Sequence, residues 1–77
     1  LAKLSEEVGE LNAAYLSATG RGRARGKSPT ELKDAVEDEL ADVLAQVLLF
    51  ADAQGIDMAR AVARKWGKYM PVPEDAP

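Results

Sequence analysis

Seventy-seven residues, 47% of them apolar, with a net charge of −3, define one small domain with enough hydrophobic side chains for a core. The chain has neither cysteine nor histidine, which excludes disulfides, thiolate nucleophiles, imidazole bases and the usual zinc ligands. The mild acidity argues against nucleic acid as a general partner, and no apolar run reaches the length of a membrane span, so a cytoplasmic protein is expected.

Leu1, Leu4, Val8, Leu11, Tyr15 and Ala18 recur at spacings of three and four, which predicts an amphipathic helix ending at Thr19-Gly20. The stripe starts at the first residue, without an initiating Met, and a missing N-terminal segment is expected. The stretch 20–27 that follows, Gly and Arg with one Ala and one Lys, reads as an exposed basic loop. It is not a phosphate-binding P-loop, because Gly20 and Gly26 are one residue too far apart and a helix, not a strand, precedes them.

Ser28, Pro29 and Glu31 spell a helix start, with Ser28 as N-cap and Glu31 closing a capping box. Leu32, Val36, Leu40, Val43, Val47 and Phe50 carry the second stripe as far as about Gln54, where Gly55 stops it. Asp57 caps a third helix, with Met58, Ala61, Val62, Trp66 and Tyr69 on its buried side. Pro71 and Pro73 end that helix, and residues 71–77 read as a flexible tail after a single domain over 1–70. Nothing alternates with a period of two. The expected fold is all-α: a helical hairpin with a short third helix folded back on it. The segment from Ala41 to Ala53 is apolar nearly all round, so both a missing N-terminal helix and a second subunit are expected to cover it.

Two acidic pairs stand out against this frame. At 100° per residue, Glu7 lies roughly 70° and Glu10 roughly 130° to one side of the first stripe. Glu39 and Asp42 lie roughly 65° and 125° from the second stripe, in the same rotational sense. Both helices therefore carry an i, i+3 carboxylate pair at one edge of the buried face. No Lys or Arg falls between Asp34 and Arg60, and Leu49 and Ala45 are expected to give Asp42 an apolar setting. A hard divalent cation is the simplest counter-charge for four gathered carboxylates. The plainer alternative is solvated surface charge, with Lys3 an ordinary i+3 and i+4 partner for Glu6 and Glu7.

The run Glu6-Glu7-Val8-Gly9-Glu10, followed by Glu39-Leu40-Ala41-Asp42, resembles the E-E-x-x-E … E-x-x-D signature of the MazG-like, all-α nucleoside triphosphate pyrophosphohydrolases. The resemblance implies helical layers completed into four-helix bundles by homo-oligomerisation, as a homodimer or dimer of dimers. It also implies hydrolysis of a nucleoside triphosphate between its α and β phosphates, with Mg²⁺ or Mn²⁺, in nucleotide-pool house-cleaning. Carried over by position, Glu7, Glu10, Glu39 and Asp42 are the metal ligands, and Glu6 is the catalytic residue that helps to orient the attacking water. The position of Lys65 and Lys68 in the C-terminal element makes them candidates for phosphate contacts.

Two other readings compete with the enzyme. One is a non-catalytic dimerisation or regulatory module that keeps the fold; the other is nucleic-acid binding through Arg21, Arg23 and Arg25. Trp66 is expected in the core in preference to a base-stacking role.

Overall fold

The computed structural model describes residues 1–20 and 26–69. It is built from three helices, α1 (Ala2–Ala18), α2 (Pro29–Ala53) and α3 (Met58–Trp66), with a 3-10 turn over Gly67–Tyr69. No strand occurs among the described residues.

The helix ends follow from local chemistry. Ser28 opens α2 with both halves of a capping box: the Glu31 amide donates to Ser28 Oγ at 3.2 Å, and the Ser28 amide donates to Glu31 Oε1 at 3.0 Å. The bond to the Ser28 amide, with the Ser28 side chain, holds the Glu31 carboxyl below its ordinary pKa. At the other end, the Ile56 amide reaches Ala51 O at 2.8 Å and the Gly55 amide reaches Asp52 O at 3.1 Å. This Schellman pattern needs a left-handed residue, and Gly55 takes φ 68°. Asp57 then caps α3 by accepting from the Arg60 amide at 3.1 Å.

α1 and α2 form an antiparallel hairpin, and they are the only extensively packed pair of helices among the described residues. Its register can be counted. Glu7 lies eleven residues before the end of α1 and Glu39 ten after the start of α2. At 1.5 Å per residue, both stand roughly 15 Å from the loop. Leu4, Leu11 and Ala14 face α2, while Leu32, Val36, Val43 and Val47 answer from the other side, all half-buried.

The described residues span 49 × 34 × 15 Å, and the shortest dimension is little more than the diameter of one helix. The radius of gyration, 16.4 Å, exceeds the roughly 11–12 Å of a compact domain this long. A single layer has no inside: among the described residues only Ala51 and Glu7 are buried. Leu44, Leu48, Leu49 and Phe50 of the apolar segment remain 40–62% exposed. α2 is thus not surrounded within one chain.

The third helix corrects its expectation most clearly. Met58 and Ala61 are half-buried, but Val62, Trp66 and Tyr69 are exposed. α3 does not close onto α2; an open groove of about 420 Å³ separates them, lined by Leu44, Val47, Leu48, Met58 and Val62 among others. Trp66, expected in the core, is 55% exposed and rests against Tyr69, with ring centroids 5.7 Å apart. Among the described residues no second layer stands behind α3 to receive these rings. Arg21, Arg23, Arg25 and the tail 71–77 lie outside the described residues.

Candidate metal centre

The hairpin register sets the two acidic pairs at one level, and helical phase sets them at one edge. In antiparallel neighbours, displacement in the same rotational sense points to the same face of the layer. Glu10 and Asp42 therefore flank the same side of the α1–α2 seam, and Glu7 and Glu39 lie in it.

The result is two overlapping clusters. Glu6, Glu7 and Glu10 can each offer a carboxylate oxygen within 4.8 Å of the others, and so can Glu7, Glu39 and Asp42. Glu7 is common to both and is 6% exposed, the more notable because so little else is buried. Its Oε1 takes an ion pair from Lys3 Nζ at 3.2 Å; the same ammonium reaches Glu6 Oε1 at 3.5 Å. Glu7 Oε2 and Glu39 Oε2 are both closed to solvent without any hydrogen-bond partner. An orphaned buried acceptor costs roughly 1–3 kcal/mol, and more when charged. Two of them in one acidic cluster are acceptors that a bound cation would satisfy.

The electrostatics agree. The Glu10 carboxyl is raised above its ordinary pKa, first by the charge of Glu7, then by desolvation, then by Glu39 and Glu6. The Lys3 ammonium is likewise raised, first by its bond to Glu7 and then by the charge of Glu6. Among the described residues Lys3 is the only cation within ion-pair distance of these carboxylates. The donor set consists of oxygen alone, which suits a small hard divalent ion such as Mg²⁺ or Mn²⁺. The residues present fit such an ion.

The burial is distributed differently from the expectation. Asp42, expected in apolar surroundings, is exposed, because the face it shares with Leu49 is open. Glu7 carries the burial instead, since it points into the seam under Lys3. Glu6 sits at the solvent edge, its side chain 58% exposed. Lys65 and Lys68 are not drawn into ion pairs with the cluster; Lys68 Nζ instead lies 5.0 Å from the centre of the Tyr69 ring. Lys3 is the residue whose weight the spacing understated, although its i+3 and i+4 partners were legible.

An all-α hairpin with carboxylates from two helices at one level is an arrangement from which helical domains can build acidic metal sites. The model of the MazG nucleotide pyrophosphohydrolase domain matches residues 1–72, and the chain belongs to that family. No curated protein and no solved structure gives a significant match.

Proposed function

We propose that this chain hydrolyses a nucleoside triphosphate to the monophosphate and pyrophosphate, using Mg²⁺ held by Glu7, Glu10, Glu39 and Asp42. The observation that carries the reading is the pair of buried, unpartnered oxygens, Glu7 Oε2 and Glu39 Oε2, inside a five-carboxylate cluster. Family membership supplies the reaction class. A divalent ion in this cluster would offset the charge of the triphosphate and make a nearby water more acidic.

The chain's own residues then divide the work. Glu7 and Glu39, fixed by the packing of α1 on α2, would hold the ion from the seam. Glu10 and Asp42 would hold it from the open face, the side accessible to substrate. Glu6, at the solvent edge of the cluster, accepts the proton of the attacking water. One water is consumed, the α–β bridging bond breaks, and pyrophosphate leaves. Lys65 and Lys68 lie on the α3 side of the hairpin, where the groove runs along Leu44 and Leu48 at the edge opposite Glu10 and Asp42, so the geometry of a single chain does not support their role as phosphate contacts. Removal of unwanted nucleotides in the cytoplasm is the role this chemistry suits.

Homo-oligomerisation completes the proposal. Leu1 at the N-cap of α1, Val8 and Tyr15 within it, and Leu40, Leu44 and Leu48 of α2 are 47–74% exposed. Helical phase puts them at the edge opposite Glu10 and Asp42, where they form an exposed apolar stripe of the kind that marks an interaction surface. A standard interface takes about 800 Å² from each partner. Pairing through this face would leave the carboxylates accessible. The same surface favours the second reading, a non-catalytic assembly module.

Pyrophosphate release from a panel of nucleoside triphosphates, with Mg²⁺ or with EDTA, separates the two. The enzyme reading expects release that EDTA abolishes and that Glu39→Gln lowers by at least about 100-fold with helicity intact. A folded protein inert on every triphosphate would support the module instead.

A further inference from the structure

Lys3 occupies an unusual place. Among the described residues it is the single cation paired with any of the five clustered carboxylates, reaching Glu6 and Glu7, and it holds the one carboxylate that both clusters share. Glu7 is buried, yet the lysine that pairs with it is not: the Lys3 side chain is 56% exposed, against 8% for Glu7. The pair also runs from Lys to Glu along the helix, the weaker order for an i, i+4 ion pair. A flexible, solvated, weakly oriented ammonium is therefore easily withdrawn, while the carboxylate it neutralises stays in place.

We infer that Lys3 is a built-in stand-in for the metal: it neutralises Glu7 in the metal-free protein and gives that carboxylate up when a divalent cation is bound. The inference rests on the metal reading above. Its logic is competition between two cations for one buried anion. Without any cation, Glu7 would face Glu10, Glu39 and Asp42 uncompensated, and the α1–α2 seam would be pushed apart where the site has to form. With Lys3 in place the seam closes at the right register before metal arrives. Release of Lys3 leaves its ammonium beside the cluster at the side open to solvent, free to meet the anionic substrate.

Competition fixes the sign of the effect. Removing Lys3 takes away a rival cation and a source of repulsion, so the site should bind metal more tightly; a lysine that merely orients Glu7 for the ion predicts weaker binding when it is lost. The test is titration of the metal-free protein with Mn²⁺, followed by calorimetry and by loss of the free-ion electron paramagnetic resonance signal. Wild type, Lys3→Met, Lys3→Gln and Lys3→Arg are compared, with circular dichroism as the check on folding. Both neutral variants should bind Mn²⁺ about five-fold more tightly. They should also melt lower than wild type in EDTA and gain more from Mn²⁺, while Lys3→Arg stays close to wild type. Unchanged or weaker binding in the neutral variants overturns the inference while leaving the metal site standing. Absence of Mn²⁺ binding in the wild type would overturn the metal reading itself.

Discussion

Glu7→Gln is the perturbation whose effect should change sign with metal. The carboxylate is 6% exposed and offers an oxygen within 4.8 Å of oxygens on Glu39 and Asp42. At that distance two negative charges repel by about 1 kcal/mol in water and by about 3.5 kcal/mol at the effective dielectric near a protein surface. Neutralising Glu7 relieves these repulsions and the similar, solvent-screened ones from Glu6 and Glu10, and loses the ion pair with Lys3, for a net gain of at least about 1 kcal/mol in the metal-free protein. For a chain of this size that is about 4–8 °C in Tm. Mg²⁺ at a hundred times its Kd adds about 2.7 kcal/mol to the wild type, and little to a variant without the central ligand. In EDTA the variant should melt above wild type; in saturating Mg²⁺ it should melt below. Thermal melts by circular dichroism at one fixed protein concentration measure both, since any oligomer makes Tm depend on concentration. A variant that melts below wild type in EDTA, with an unchanged gain from Mg²⁺, would refute the account of Glu7 as a destabilising anion kept for a cation.

Four further outcomes test the parts that hold the site and its assembly in place. Ser28→Ala should destabilise by about 1 kcal/mol in urea denaturation, because it removes half of the capping box that starts α2. Glu31, whose folded-state carboxyl is held low, stabilises above its unfolded pKa and loses that contribution as pH falls through the folded value. The Tm difference between wild type and Glu31→Gln should therefore be larger at pH 6 than at pH 3. Gly55→Ala, at φ 68°, should lower stability by about 1 kcal/mol, read from the same denaturation curves. Leu44→Asp with Leu48→Asp, on the exposed apolar face, should reduce the mass measured by light scattering toward that of a monomer while the far-ultraviolet spectrum stays helical.

The sequence made the hairpin legible because its signals are local. The capping box at Ser28, the Gly55 stop and the Asp57 cap each involve groups within five residues of one another, and all three are present in the structure. The acidic cluster was legible for a second local reason: equal phase on two helices survives any antiparallel packing of the right register. What a single sequence could not reveal was which member of the cluster is buried. That depends on the seam between helices, which encloses Glu7 and leaves Asp42 open. The third helix was misjudged for the converse reason. Its apolar stripe is genuine, but a stripe states that a face needs covering and not what covers it. Trp66 and Tyr69 instead cover one another in part at the end of a single-layer structure.

Membership of the MazG family and the cluster of Glu6, Glu7, Glu10, Glu39 and Asp42 meet in the proposed reaction, so its products are the most direct test. Phosphorus NMR of a nucleoside triphosphate incubated with the protein and Mg²⁺ distinguishes every bond that could break. The account predicts growth of monophosphate and pyrophosphate resonances together, in equal amounts, and their suppression by EDTA. Diphosphate and inorganic phosphate as the products, or turnover indifferent to EDTA, would contradict it.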